Sequence, residues 1–250
     1  MITVNDYFDK VFLFSLKRRT DRRAQAIKKL QAVGIKFTVI DAVDAHNSPA
    51  LKAEHQAYLE YPIIDARSAF YDKKYKIKSL EHIGALGLLK TWEVVLKNAL
   101  HKQLKNILIF EDDVILSTNF QKQFETFIEA IGSQKWQALL LGATQRYWSQ
   151  PEYLSMVENK PYYLPKRTHG TLAIAINQAV FEELLGQVQN FNSPIDAEPL
   201  HFIYEKYFEQ CFVAYPHLCI QDVSSSDIHK PRNQRFYAHS FKWDLNEYDI

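Results

Sequence analysis

Cysteine is nearly absent. Cys211 and Cys219 are the only two in 250 residues, and their spacing is not that of a zinc site. So few thiols suggest a reducing compartment, with both cysteines free and partly buried rather than bridged. Charge imbalance is lacking as well. The formal net charge is +1, whereas general nucleic-acid binding wants a strongly basic domain, so no nucleic-acid partner is expected. No apolar run is long enough to span a membrane. The first run, preceded by Asp6 and Asp9, is neither a signal peptide nor an anchor. Cytoplasmic residence is the default expectation. Internal repeats and low-complexity linkers are also missing, so residues 1–250 are expected to form one domain.

What is present is a rhythm of short apolar runs and amphipathic stretches, which predicts an α/β fold. Residues 11–16 read as a buried strand, followed by a helix capped by Thr20 or Asp21. Its apolar positions are Ala24, Ile27, Leu30 and Ala32 or Val33, and Gly34 stands where a helix C-cap belongs. A second strand at 36–40 completes a βαβ unit, which argues for a parallel sheet. Residues 46–79 read as an insertion with a short helix near 51–59. A helix over 84–100 turns Leu88, Trp92, Val95, Leu96 and Ala99 to the core. Ser117-Thr118-Asn119 caps another, with Phe120, Phe124, Phe127, Ile128 and Ile131 inward. A strand at 136–141 precedes a Pro- and Tyr-rich loop, 145–165, suited to lining an acceptor site. A strand at 171–176 follows, then a helix from Asn177 to 185 and one from 193 to 207. An edge strand at 212–216 is expected because proline cannot donate to a ladder. The aromatic tail at 236–248 is suited to packing on a partner subunit.

Two stretches carry chemistry. Ile107-Leu108-Ile109-Phe110 reads as a strand buried on both faces, and it runs straight into Glu111-Asp112-Asp113. Ligands of open α/β sheets bind outside the carboxyl ends of strands. Three adjacent carboxylates there are relieved most readily by a hard cation such as Mg²⁺ or Mn²⁺. The other reading is an inert acidic turn. Arg18, Arg19, Arg22 and Arg23 crowd the start of the first helix, against its dipole. Either a nucleotide diphosphate sits there, or the arginines pair with Asp21 and solvent. Lys73, Lys74, Lys76 and Lys78 form a second basic run, suited to a phosphate or to peripheral contact with an anionic membrane.

In order, several motifs resemble glycosyltransferase family 25, the family of bacterial lipooligosaccharide glycosyltransferases and collagen galactosyltransferases. Ser15-Leu16-Lys17-Arg18-Arg19-Thr20-Asp21-Arg22 is similar to its opening Asn-Leu-x-Arg-x-x-x-Arg, and Ala42-Val43-Asp44-Ala45 to its Ala-Val-Asp-Gly. Gly84-Ala85-Leu86-Gly87 resembles its Gly-x-x-Gly, and Glu111-Asp112-Asp113-Val114 matches throughout. His169-Gly170-Thr171, Pro194-Ile195-Asp196 and Pro216 followed by Ser226-Asp227-Ile228 look alike too. Ser15, Ala45, Ala85, Leu88, Thr91 and Trp92 depart from the pattern.

The resemblance implies a GT-A type, Rossmann-like, mostly parallel sheet flanked by helices. It implies residues 11–115 as the nucleotide-sugar half and 116–250 as the acceptor side. Ser15, Arg18, Arg22, Asp44, Glu111 and Asp112 would bind the donor. Asp113 and Glu111 would hold a divalent Mn or Mg, with His229 or Asp227 as a late ligand. Asp196 would be the general base, with Glu198 its substitute. The implied activity is inverting, metal-dependent transfer of galactose or glucose from a UDP-sugar to a lipopolysaccharide or lipooligosaccharide core, a glycolipid or oligosaccharide acceptor. A metal-dependent phosphohydrolase or nucleotidyltransferase, or a catalytically silent sugar-binding homologue, are the alternatives.

Overall fold

Alternation at a period of two decides how the strands face. In the first strand Phe12 and Phe14 enter one core while Val11 and Leu13 enter another. Both faces of the sheet are thus covered, and the computed structural model is α/β. It describes residues 2–60, 80–190, 193–226, 228 and 232–250. In chain order its helices and strands are α1 (Val4–Tyr7), β1 (Lys10–Leu16), α2 (Thr20–Ala32), β2 (Thr38–Ala42), α3 (Pro49–Glu60) and α4 (Ile83–His101). Then come β3 (Asn106–Glu111), β4 (Val114–Leu116), α5 (Phe120–Ile131), β5 (Ala138–Leu140), β6 (Leu154–Met156), β7 (Tyr162–Pro165) and β8 (Ala173–Asn177). The last are α6 (Phe181–Gln189), α7 (Glu198–Lys206), β9 (Cys211–Ala214), β10 (Cys219–Gln221) and α8 (Gln234–Phe241).

The central sheet has the order β2-β1-β3-β8-β5-β9-β7-β6. Strands β1, β2 and β3 are parallel, as the βαβ pattern predicts, and β5 and β9 pair in parallel too. Strands β8 and β7 run against all the others, so the sheet is mostly parallel in direction with two reversed members. One face packs on α4, α6 and α7 through Trp92, Leu96, Phe181, Leu184 and Leu200. The other packs on α2 and α5 through Leu30, Phe120, Phe124 and Phe127. The two cysteines, Cys211 and Cys219, are free and buried.

Four expectations need correction. The inward face of α2 is Arg22, Ala26 and Leu30, while Ala24 is exposed, so a charged residue leads the buried stripe. Residues 145–165 are not all loop, because β6 and β7 extend the sheet. Strand β9 is not an edge: it lies between β5 and β7, and Pro216 falls beyond its last residue, where no ladder donor is needed. The aromatic tail packs on its own chain, with Phe241, Trp243 and Tyr248 buried against Ile115 of β4 and Ile220 of β10. The Trp243 indole N–H donates to the Ala143 carbonyl (3.3 Å), and the Tyr248 hydroxyl to that of His217 (2.7 Å).

Gly34 ends α2 in the left-handed region at φ 75°. Its N–H donates to Gln31 O and that of Ile35 to Leu30 O, a Schellman closure that favours glycine. Gly87 serves a close approach instead. A Cβ there would lie 2.5 Å from the Val43 carbonyl oxygen. On the next turn Thr91 Oγ1 accepts from Val43 N (2.9 Å). Helix α4 therefore seats the backbone that carries Asp44. Gly87→Ala is expected to cost about 1–3 kcal/mol through overpacking, read as a lower urea midpoint with unchanged slope.

Candidate active site

Strands β1, β2 and β3 all end at one side of the sheet, and the chain leaves each with polar residues: Ser15 in β1, Asp44 after β2, and Glu111 in β3 with Asp112 and Asp113 after it. Because β8 is reversed, its amino end arrives at the same side, bringing His169-Gly170-Thr171. A cavity of about 600 Å³ opens there. Ser15, Arg22, Asp44, Glu111, Asp112, Asp113 and Asp196 all line it. Arg18 is not in its wall but holds Asp44 through Nε (2.9 Å). His229, Asp227 and the basic run from Lys73 to Lys78 lie outside the described residues.

Arg22 organises the carboxylates. Its Nη2 lies 2.6 Å from Asp112 Oδ1 and 3.2 Å from Asp113 Oδ2, and Nη1 donates to Ser225 O (3.0 Å). Ser15 Oγ donates to Asp112 Oδ2 (2.7 Å), and Gln221 Nε2 to Asp113 Oδ2 (2.9 Å). The Thr171 hydroxyl donates to Glu111 Oε1. Burial, reinforced by the Asp113 charge, pushes the Glu111 carboxyl up to about 8. Burial also raises Asp112 from its ordinary value, against the opposing pull of Arg22.

The arginines at the start of α2, read either as a diphosphate site or as partners of Asp21 and solvent, are ion-paired. Arg18 meets Asp44, Arg19 meets Asp21 (3.1 Å) and Arg23 meets Asp41 (2.6 Å). The reason is topological. For Arg18, Arg22 and Arg23, parallel strands bring their aspartate-bearing carboxyl ends to the start of the helix that follows β1, whereas Arg19 pairs locally with Asp21 of the same helix.

Two fully buried carboxylate oxygens of the cavity, Asp113 Oδ1 and Asp44 Oδ1, lack hydrogen-bond partners among the described residues. Among those residues no three His, Cys, Asp or Glu side chains form a self-sufficient metal site. Mg²⁺ and Mn²⁺ at phosphate substrates need only one or two protein carboxylates, the substrate supplying other oxygens. Asp113 with Glu111 fits that requirement.

Asp196 also lines the cavity and does not cap α7. The cap position is Ala197, and Ser193 Oγ accepts from Glu198 N (3.2 Å) instead. The Asp196 carboxylate accepts from Gly170 N (3.0 Å), and its carbonyl lies 2.9 Å from His169 Nδ1. Sequence reasoning missed Thr171, Gln221, Arg146 and Arg232 as site residues. Thr171 had a signal, its place in the His169-Gly170-Thr171 motif. The others carry no local pattern, and only the tertiary fold brings them in.

Residues 8–198 match the family model described as glycosyltransferase family 25 (LPS biosynthesis protein). The chain is 30% identical over 183 residues to the human inactive glycosyltransferase 25 family member 3, covering 71% of this chain and 29% of that protein. It is 26% identical over 147 residues to human procollagen galactosyltransferase 2, covering 58% and 22% respectively. The chain thus spans less than a third of the length of these relatives. A solved glycosyltransferase involved in glycosylation of the major capsid of PBCV-1 overlaps 86% of this chain and 96% of its own, at TM-score 0.43 and 12% identity. Among the described residues no helix is long and apolar enough to cross a membrane.

Proposed function

Since the chain belongs to glycosyltransferase family 25, we propose that it transfers a hexose, galactose or glucose, from a UDP-sugar to a hydroxyl of a lipopolysaccharide-type glycolipid or oligosaccharide, with inversion. One observation carries the reading: the Glu111-Asp112-Asp113 turn and Asp196 line a single cavity and are held by adjacent residues of one segment, Gly170 N donating to Asp196 and the Thr171 hydroxyl to Glu111. Asp44, with a bare buried oxygen beside its Arg18 pair, is suited to accept from a ribose hydroxyl or a base N–H. Asp113 and Glu111 would hold a divalent cation, which when bound neutralises charge growing on the leaving diphosphate. Arg22 opposes the effect of burial on Asp112 and fixes the turn, so that Asp113 Oδ1 is presented without reorganisation. Asp196, oriented by Gly170 N, takes the proton of the acceptor hydroxyl as that oxygen attacks.

A silent sugar-binding protein is the second reading. What favours it is that Arg22 already offsets one of the two charges of Asp112 and Asp113, leaving a cation less charge to satisfy.

Thermal unfolding with UDP-sugars, with and without Mn²⁺, tests both readings. A ligand at about a hundred times its Kd stabilises by about 2.7 kcal/mol. Manganese-dependent stabilisation by UDP-galactose or UDP-glucose, lost in Asp113→Ala, together with release of UDP when an oligosaccharide acceptor is added, is the expected result. Stabilisation without release would favour the silent binder. No response to any uridine nucleotide would refute the donor assignment.

A further inference from the structure

The geometry points to a second recognition element in the cavity: Arg146 and Arg232 form an anion subsite that takes a phosphoryl group of a substrate. Arg146 follows β5 and Arg232 precedes α8, so distant parts of the chain supply them, yet both line the cavity. They converge on one aromatic ring. The Arg146 guanidinium carbon lies 5.3 Å from the Tyr237 ring centroid and 5.2 Å from that of Phe241, and the Arg232 carbon lies 5.2 Å from Tyr237. The two charges are therefore no further apart than the sum of their distances to Tyr237.

The arginines of the donor side form the contrast. Arg18, Arg19, Arg22 and Arg23 each meet an aspartate. Neither the Arg146 nor the Arg232 guanidinium has an ion pair or hydrogen bond among the described residues. Two like charges held at one ring with no counter-charge repel each other, and an incoming anion relieves that repulsion. The rings attract the guanidinium faces and leave the planar fork of N–H donors for the ligand. Such a fork matches the oxygens of phosphate.

The pair is also tied to the reacting end. Arg232 N donates to Val223 O (3.0 Å), and N of the adjacent residue, Asp222, donates to Asp113 O (2.7 Å). This assignment rests on the transferase reading only for why a phosphorylated substrate enters. The phosphoryl group belongs either to the donor's diphosphate or to a phosphorylated sugar acceptor.

Calorimetric titration of the full chain without metal tests the subsite, with inorganic pyrophosphate, UDP and glucose 6-phosphate as probes and uridine and glucose as neutral controls. Binding of a phosphate probe to wild type, weakened about tenfold or more in both Arg146→Gln and Arg232→Gln and partly restored in Arg146→Lys, is the expected result. Losses on pyrophosphate and UDP assign the group to the donor, whereas a loss on glucose 6-phosphate assigns it to the acceptor. Absence of phosphate binding by wild type, or unchanged affinity in the folded glutamine variants, overturns the subsite. Because these titrations need no turnover, they stand apart from any failure of the transferase reading.

Discussion

Replacing Arg22 with methionine is expected to destabilise the protein by about 3–5 kcal/mol, the usual cost of removing one partner from a buried ion pair. Arg22 is buried in the stripe of α2 and is shared by Asp112, Asp113 and the Ser225 carbonyl. Methionine fills much of the volume but leaves two poorly solvated carboxylates side by side. The pH dependence identifies the cause. Burial already raises Glu111 and Asp112, so in the folded protein both hold protons at pH values where the unfolded chain has lost them. Their contribution to stability is complete in acid and is lost as pH rises from the ordinary carboxylate range through the folded value, about 8 for Glu111. Without the opposing charge of Arg22, Asp112 must rise further. The melting-temperature gap between Arg22→Met and wild type should therefore narrow toward pH 4 and widen toward pH 8. A gap that stays constant with pH would mean lost packing rather than uncompensated charge.

Arg22 also shows what the sequence did and did not disclose. The apolar runs of β1 and β3 announced strands buried on both faces, and Glu111-Asp112-Asp113 announced the site, because each is a local pattern of residue types. The helical stripe of α2 was legible, but not its phase. Apolar residues were assigned to the core by type, whereas the fold turns Arg22 inward to meet carboxylates that stand about ninety positions later in the chain. The reversed β8 and β7 could not be read from composition, since short strands of either direction carry similar residues. Nor could β6 and β7 be seen among the tyrosines and prolines of residues 145–165. The aromatic tail failed as a partner surface for a related reason: its amphipathic pattern says that Phe241 and Trp243 must be covered, but not by what. The ring pair that orients Arg146 and Arg232 depends on that same docking of α8.

Asp196→Asn is expected to lower kcat by about 10²–10⁴-fold, the range of a positioned general base, while donor affinity and stability hold. The substitution is chosen for what it preserves. An asparagine oxygen still accepts from Gly170 N, and the Asp196 carbonyl that faces His169 Nδ1 belongs to the backbone and is untouched. Only the capacity to take a proton is removed. His169 provides the control, because it also lines the cavity. If its Nδ1–H donates to that carbonyl, its Nε2 carries a lone pair and is itself able to accept a proton. A steady-state comparison of Asp196→Asn with His169→Asn under saturating donor separates the two. Asp196 is the base if its variant loses turnover while His169→Asn keeps most of it. The reverse pattern moves the base to His169 and leaves Asp196 as the group that positions it. Equal, large losses that are not additive in the double variant would mean that the two act as one unit across the His169-Gly170 turn.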